Sequence, residues 1–201
     1  MADLSGDDSA YAMALYAALK DDPFYVALEA AVADRSNSTD AMLAYYAYSI
    51  LEAERYGLVL RPDGEPVGLS LWSLPLDEAE MADRKLQKSA AISTNMGTRC
   101  LEVYEAITGF MSAATGPLVS HQNWYLSIVG ISPGWQGRGL GEQLVRPALK
   151  RADEAGAASY LETFNEKNMS FYRRFGFDTA GSFVEPVTGA RYWVMTRPPG
   201  G

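Results

Sequence analysis

The stretch Gln136-Gly137-Arg138-Gly139-Leu140-Gly141 is suited to holding an anion. Behind it, Leu140, Leu144, Val145, Ala148, Leu149 and Ala152 recur at helical spacing, so the glycines stand at the mouth of a helix. The first turn of a helix carries unpaired N–H groups and a partial positive charge, and both attract phosphate. Glycine lets backbone approach phosphate oxygens without a Cβ in the way. Arg138 adds a cation that is always charged. The pyrophosphate of a nucleotide cofactor suits such a segment. Two familiar phosphate patterns do not fit it. The dinucleotide fingerprint would need glycine at 142 or 144, where Glu142 and Leu144 stand, and no Gly-Lys pair followed by Ser or Thr is present.

Other reactive side chains are sparse. Cys100 is the single cysteine and His121 the single histidine, which excludes an internal disulfide and a structural zinc site; no metal is expected. Cys100 has no neighbour in sequence to activate it as a nucleophile. His121 precedes a strand and reads as structural. The chain has 201 residues, 48% of them apolar and 21% charged, enough for one domain with a buried core. The net charge of −8 disfavours nucleic acid as a ligand and suits a cationic, amine-bearing one. No apolar run approaches the roughly 20 residues of a membrane span, and the start of the chain lacks a signal-peptide pattern. The expected setting is cytoplasmic, with no membrane partner.

The elements that must position this segment read as mixed α and β. Helices are expected over Ala10 to Lys20, over residues 24–33 and from Asp40 to Tyr56, the last capped by Thr39. Residues 1–9 and the tail Pro198-Pro199-Gly200-Gly201 are expected to be loose. Asp63-Gly64 between Leu58–Leu60 and Val67–Trp72 signals a hairpin. Residues 76–115 are helical with a break near Asn95-Met96-Gly97. Trp124 to Val129 reads as a strand, with Gly130 marking a bulge. The helix over Gly137–Ala155 contains Pro147, where a kink is expected. Strand Ser159–Thr163, helix Met169–Arg174 and strands 177–184 and 191–196 follow.

The pattern Gln136-x-x-Gly139-x-Gly141 between a bulged strand and a helix resembles the signature of the GNAT acetyltransferase superfamily. Within it, residues 124–198 are similar to the puromycin N-acetyltransferases and their bacterial relatives. Trp124-Tyr125-Leu126, Val129-Gly130-Ile131-Ser132-Pro133, Tyr160-Leu161-Glu162-Thr163, Asn168-Met169-Ser170-Phe171-Tyr172, Phe175-Gly176-Phe177 and Met195-Thr196-Arg197 carry that likeness. It implies a single GNAT domain over 1–201, of the α/β (α+β) class. Its mixed central sheet would have a bulged fourth strand, helices on both faces and a helical insert in the N-terminal half. Residues 1–120 would form the acceptor side and 121–198 the acetyl-CoA side. GNAT chains open on a strand; only Ala2-Asp3-Leu4-Ser5 is available for one here.

The resemblance implies acetyl-CoA as cosubstrate. Its pantetheine arm would pair with the backbone of Val129, Gly130 and Ile131, and a backbone N–H there would meet the oxyanion. Its pyrophosphate would sit on Gln136, Gly137, Arg138, Gly139, Leu140 and Gly141. Asn168 and Phe171 would complete the cofactor site; Asn168 also reads as a helix N-cap. Tyr172 would protonate the leaving thiolate. Glu162, on the strand before that helix, is the first choice of base, with Glu102 and Glu105 as alternatives. The aromatic supply of the N-terminal half (Phe24, Tyr25, Tyr45, Tyr46, Tyr48 and Trp72), together with Trp124, is available for an acceptor pocket or for plain core. The implied acceptor is the primary amine of a small molecule, puromycin or a related aminoacyl-nucleoside or antibiotic among the choices. A protein N-terminus or lysine, and a non-catalytic acyl-CoA sensor, are the competing readings. Either a monomer or a homodimer is compatible with the sequence.

Overall fold

A computed structural model describes residues 6–200. The short opening strand considered at residues 2–5 lies outside them. The helix after it, α1, runs Gly6–Leu19 and so takes in residues expected to be loose. Asp8 in its first turn pairs with Arg61 at 3.1 Å, and the Arg61 guanidinium lies over the Tyr11 ring. Pro23–Ala31 forms α2, and Asp22 is its cap, accepting from the Phe24 N–H at 3.0 Å. Ser38–Tyr56 forms α3. It begins one residue before Thr39, which therefore sits inside the helix and shares a hydrogen bond with the Tyr16 hydroxyl instead of capping.

The hairpin is present as β1, Gly57–Leu60, and β2, Gly68–Ser73. Two long helices follow, α4 over Glu78–Met96 and α5 over Thr98–Thr115. Asp77 and Glu80 close a reciprocal capping box at the start of α4. Gly97, with φ of 92°, makes the break between the two. The remaining elements are β3 (Trp124–Ile131), α6 (Leu140–Glu154), β4 (Ser159–Thr163), α7 (Glu166–Arg173), β5 (Asp178–Val184) and β6 (Arg191–Arg197). Pro147 lies inside α6, and the helix continues through it. Pro198 to Gly200 is tied down: Gly200 N–H donates to Asp153, which also pairs with Arg197 through both carboxylate oxygens.

The strands form one mixed sheet in the order β1-β2-β3-β4-β6-β5, antiparallel except where β3 meets β4. Helices α1 to α5 bury one face, with Leu15, Leu28, Met42, Ile50, Leu69, Leu71 and Ile107 at its centre. Helices α6 and α7 cover the other, around Trp72, Leu126, Leu149, Leu161 and Phe177. Ser70 fastens α6 to the sheet by donating to the Leu144 carbonyl at 2.5 Å, and the Trp72 indole N–H donates to the same hydroxyl.

The bulge lies at Ser127, not at Gly130. Leu71 pairs with Ile128 but Trp72 pairs with Leu126, so Ser127 is the extra residue. Its consequence is visible in the packing. Leu126 belongs to the α6 side and Ile128 to the opposite core, although residues two apart on a regular strand share a face. Gly130 pairs regularly with Leu69. It is glycine for another reason: a Cβ there would meet Leu15 Cδ2 at 2.9 Å and the Ala18 Cβ at 3.1 Å, where α1 lies directly on the strand.

Candidate active site

Pairing between β3 and β4 covers only Trp124–Leu126 against Ser159–Leu161. Beyond that point β3 continues to Ile131 and β4 to Thr163 with no further pairing recorded between them. The two parallel strands therefore part, and Val129, Gly130 and Ile131 pair only with β2 on their other side. Parallel strands at the centre of a sheet normally pair along their length, so this opening is a local exception that exposes backbone donors and acceptors.

The glycine-rich turn sits at the end of the unpaired stretch. Gln136 folds back so that its amide donates to the Ile131 carbonyl at 2.9 Å. Gly137 and Gly139 have φ of 77° and 79°, a left-handed backbone that L side chains rarely adopt. Among the described residues none accepts from the backbone N–H groups of 137 to 141. Gly141 is held small by packing, since a Cβ there would stand 2.6 Å from the Phe171 ring of α7. Phe171 thus presses α7 against the first turn of α6. Arg138 is exposed, donates to the Gly134 carbonyl and stacks over Trp135 at 4.6 Å. A cradle of open N–H groups, two left-handed glycines and an exposed cation fits a diphosphate.

A cavity of about 360 Å³ opens at the parted strands, walled by residues of α2 to α5 and of α7. Val129, Glu162, Asn168 and Tyr172 all line it. Tyr172 is buried, and burial together with the nearby Asp22 carboxylate holds its phenol well above the ordinary value, so it carries its proton at neutral pH. Glu162 accepts from Thr115 Oγ1 at 2.5 Å and from the Tyr125 hydroxyl at 3.0 Å. Burial raises its carboxyl above the usual range, and those two hydrogen bonds partly offset the rise. Asn168 lies within α7; the cap of that helix is Asn165, which accepts from Lys167 N–H.

Other sequence candidates are placed elsewhere. Glu102 and Glu105 are exposed on α5, one paired with Arg99 and the other accepting from Ser89. His121 is exposed in a turn before β3, not packed as a structural residue. Cys100 is buried against the Leu28 carbonyl, and burial pushes its thiol up to about 11. Phe24, Tyr25, Tyr45 and Trp72 reach the cavity, whereas Tyr46 is core, and Tyr48 and Trp124 do not line it. Tyr104, Tyr125 and Tyr160 join the lining unannounced, with Tyr125 and Tyr160 stacked at 4.5 Å. Alternation along β3 and β4 could have placed the last two on one face.

Asp22, which stands before Pro23 between two helices, carries no sequence signal of a site residue. It lines the cavity near Tyr172, and burial raises its carboxyl from 3.8 to about 6 against the pull of the Phe24 N–H. Aspartate at a helix cap is common enough to hide such a placement. Among the described residues no group of three or more His, Cys, Asp or Glu could hold a metal ion, and no helix is long and apolar enough to cross a membrane.

The sequence profile of the Acetyltransferase (GNAT) family matches residues 12–177, and the chain belongs to that family. Among curated relatives, 76 residues are 37% identical to N-alpha-acetyltransferase RimI of Mycobacterium tuberculosis, covering 36% of this chain and 47% of that protein. A shorter match of 55 residues, 38% identical, joins it to an uncharacterized N-acetyltransferase of Schizosaccharomyces pombe and covers 27% of this chain and 22% of the relative. These matches span less than half the length of either relative. In fold, the chain is similar to a solved structure described as histone acetyltransferase HPA2 and related acetyltransferase from Corynebacterium glutamicum. That likeness has a TM-score of 0.70 at 21% identity, over 98% of this chain and 93% of the other.

Proposed function

We propose that this chain is an acetyl-CoA-dependent N-acetyltransferase acting on the primary amine of a small molecule. The observation that carries the reading is the parting of β3 and β4 beside a cavity that holds Tyr172, Glu162 and Asn168. When bound, acetyl-CoA supplies a thioester whose acetyl carbon accepts attack by an amine. Residues 136–141 hold the diphosphate through their open N–H groups, and the edge of β3 at Val129, Gly130 and Ile131, which has no strand partner on the β4 side, aligns the pantetheine arm. Asn168 and Phe171 border that arm. A backbone N–H at Val129 faces the developing oxyanion, the kind of fixed donor that contributes most to acyl transfer.

Glu162 takes the proton of the incoming ammonium, directly or through water. A carboxyl raised by burial is a better base near neutrality than an exposed one. Tyr172 keeps its proton until the thiolate departs and then donates it. The chain thus divides into an acceptor side from residues 1–120 and a cofactor side from 121–198. The whole cavity wall rises from both, since α2, α3, α4 and α5 face β3, β4 and α7 across it.

Puromycin, another aminoacyl-nucleoside or a related antibiotic are the first acceptors to test, in a cytoplasmic enzyme acting as monomer or homodimer. A second reading is supported by the RimI likeness: acetylation of a protein N-terminus. Release of free thiol is measured with puromycin, a panel of small amines and short peptides with free N-termini. Turnover of small amines above peptides supports the proposal. Turnover of peptides alone replaces it with the second reading, and binding of acetyl-CoA with no turnover of any amine points to a non-catalytic sensor.

A further inference from the structure

The far end of the same cavity carries excess positive charge. Arg84 and Lys88, one turn apart on α4, both reach the carboxylate of Glu52 on α3, at 3.2 and 3.3 Å. Lys88 is buried at 6% exposure, donates to Ser49 Oγ at 2.8 Å and stands 4.5 Å from the centre of the Tyr45 ring. The Arg84 guanidinium also donates to Ser73 Oγ at 2.9 Å. Its Nη1 makes no hydrogen bond to any described residue. All of these side chains line the cavity. Asp83, the acid next to Arg84 on α4, is taken by Arg55 and Tyr56 and does not line the cavity. Two cations therefore share one carboxylate in a largely buried wall. Burial of unbalanced charge is costly unless a counter-charge completes it. Burial accordingly lowers the Lys88 ammonium below its ordinary value even with Glu52 beside it.

Asp22 lies away from this wall, near Tyr172, and Glu162 stands between them, hydrogen-bonded to the Tyr125 hydroxyl. Ser73, the Arg84 partner, pairs with Tyr125, whereas the opening between strands lies at Val129. Three residues of the unbulged partner strand, Ser70 to Ser73, span that separation, or ~10 Å at ~3.3 Å per residue. Aromatic rings of Tyr25, Tyr45, Tyr104, Tyr125 and Tyr160 fill the wall between.

We propose that the Arg84–Lys88 pair is an anion subsite. The preferred acceptor is an amine that carries a carboxylate at its far end, with a flat or apolar middle between the two charges. The proposal rests on the cavity being the acceptor site of an N-acetyltransferase, and its test is built to be independent of turnover. Binding of 4-ethylbenzoate and its neutral isostere 4-ethylbenzamide is measured by calorimetry without acetyl-CoA. The wild-type chain is expected to bind the carboxylate at least tenfold tighter. In Arg84→Gln, Glu52 and Lys88 remain as a neutral pair, so the fold is spared and the preference drops to within twofold. Lys88→Gln is a second variant with the same expectation, checked for folding by circular dichroism. Equal binding of the two compounds by the wild type, or a preference that survives Arg84→Gln, overturns the subsite. Kinetics with 4-(2-aminoethyl)benzoate against 4-(2-aminoethyl)benzamide then reads the same preference in kcat/KM. Carboxylate binding without turnover of either amine would leave the subsite standing and count against acetyl transfer.

Discussion

Replacing Asp22 by Asn separates what this carboxylate costs the fold from what it does in the cavity. The side chain caps α2 and is largely buried, and its carboxyl is raised from 3.8 to about 6 chiefly by desolvation. A group whose folded value is raised stabilises the fold fully below its unfolded value and loses that contribution as pH rises through the folded one. The ionised carboxylate therefore destabilises the native state above pH 6. Raising it from 3.8 to about 6 corresponds to about 3 kcal/mol. Asn caps as well as Asp, so the Phe24 N–H keeps an acceptor. The lost attraction between a negative cap and the helix N-terminus removes about 0.3–1 kcal/mol of the gain. Asp22→Asn should thus be about 2 kcal/mol more stable than the wild type at pH 8, with roughly half that gap left at pH 5. Urea unfolding at the two pH values measures it. A variant no more stable at pH 8, or a gap equal at both, would refute the desolvation argument. The same variant should raise KM for a cationic amine severalfold, because the cavity loses a negative charge near Tyr172.

Tyr172→Phe should lower kcat more than tenfold with little change in acetyl-CoA affinity; unchanged kcat removes the phenol from the acid role. Glu162→Gln should abolish the acid limb of the pH–rate profile, which in the wild type lies above the ordinary carboxylate range because burial raises Glu162. Persistence of that limb would move the base to another residue, with Asp22 the first to examine. Gly130→Val should destabilise the chain by about 1–3 kcal/mol through overpacking against Leu15 and Ala18. An unfolding midpoint equal to the wild type's would show that α1 can shift away from the strand.

Local pattern determined much of this protein. The hairpin around Asp63-Gly64, the helix break at Gly97, strand Ser159–Thr163 and the glycine turn before α6 are all set by residues adjacent in the chain. Glycine and periodicity act within a few residues, so one sequence is enough to read them. That Tyr172 and Glu162 line one cavity was legible only through the family resemblance, because they stand ten positions apart in the chain and nothing local brings them together. Tertiary structure alone decided the rest. The bulge fell at Ser127 because register depends on the partner strand β2, and Gly130 was needed instead to admit α1. Asp22 looked like a helix boundary and became a cavity residue through the packing of α1 and α2 over the parted strands. Arg84, Lys88 and Glu52 are ordinary surface types on amphipathic helices. They became a charged wall when α3 and α4 packed side by side and took their side chains out of water.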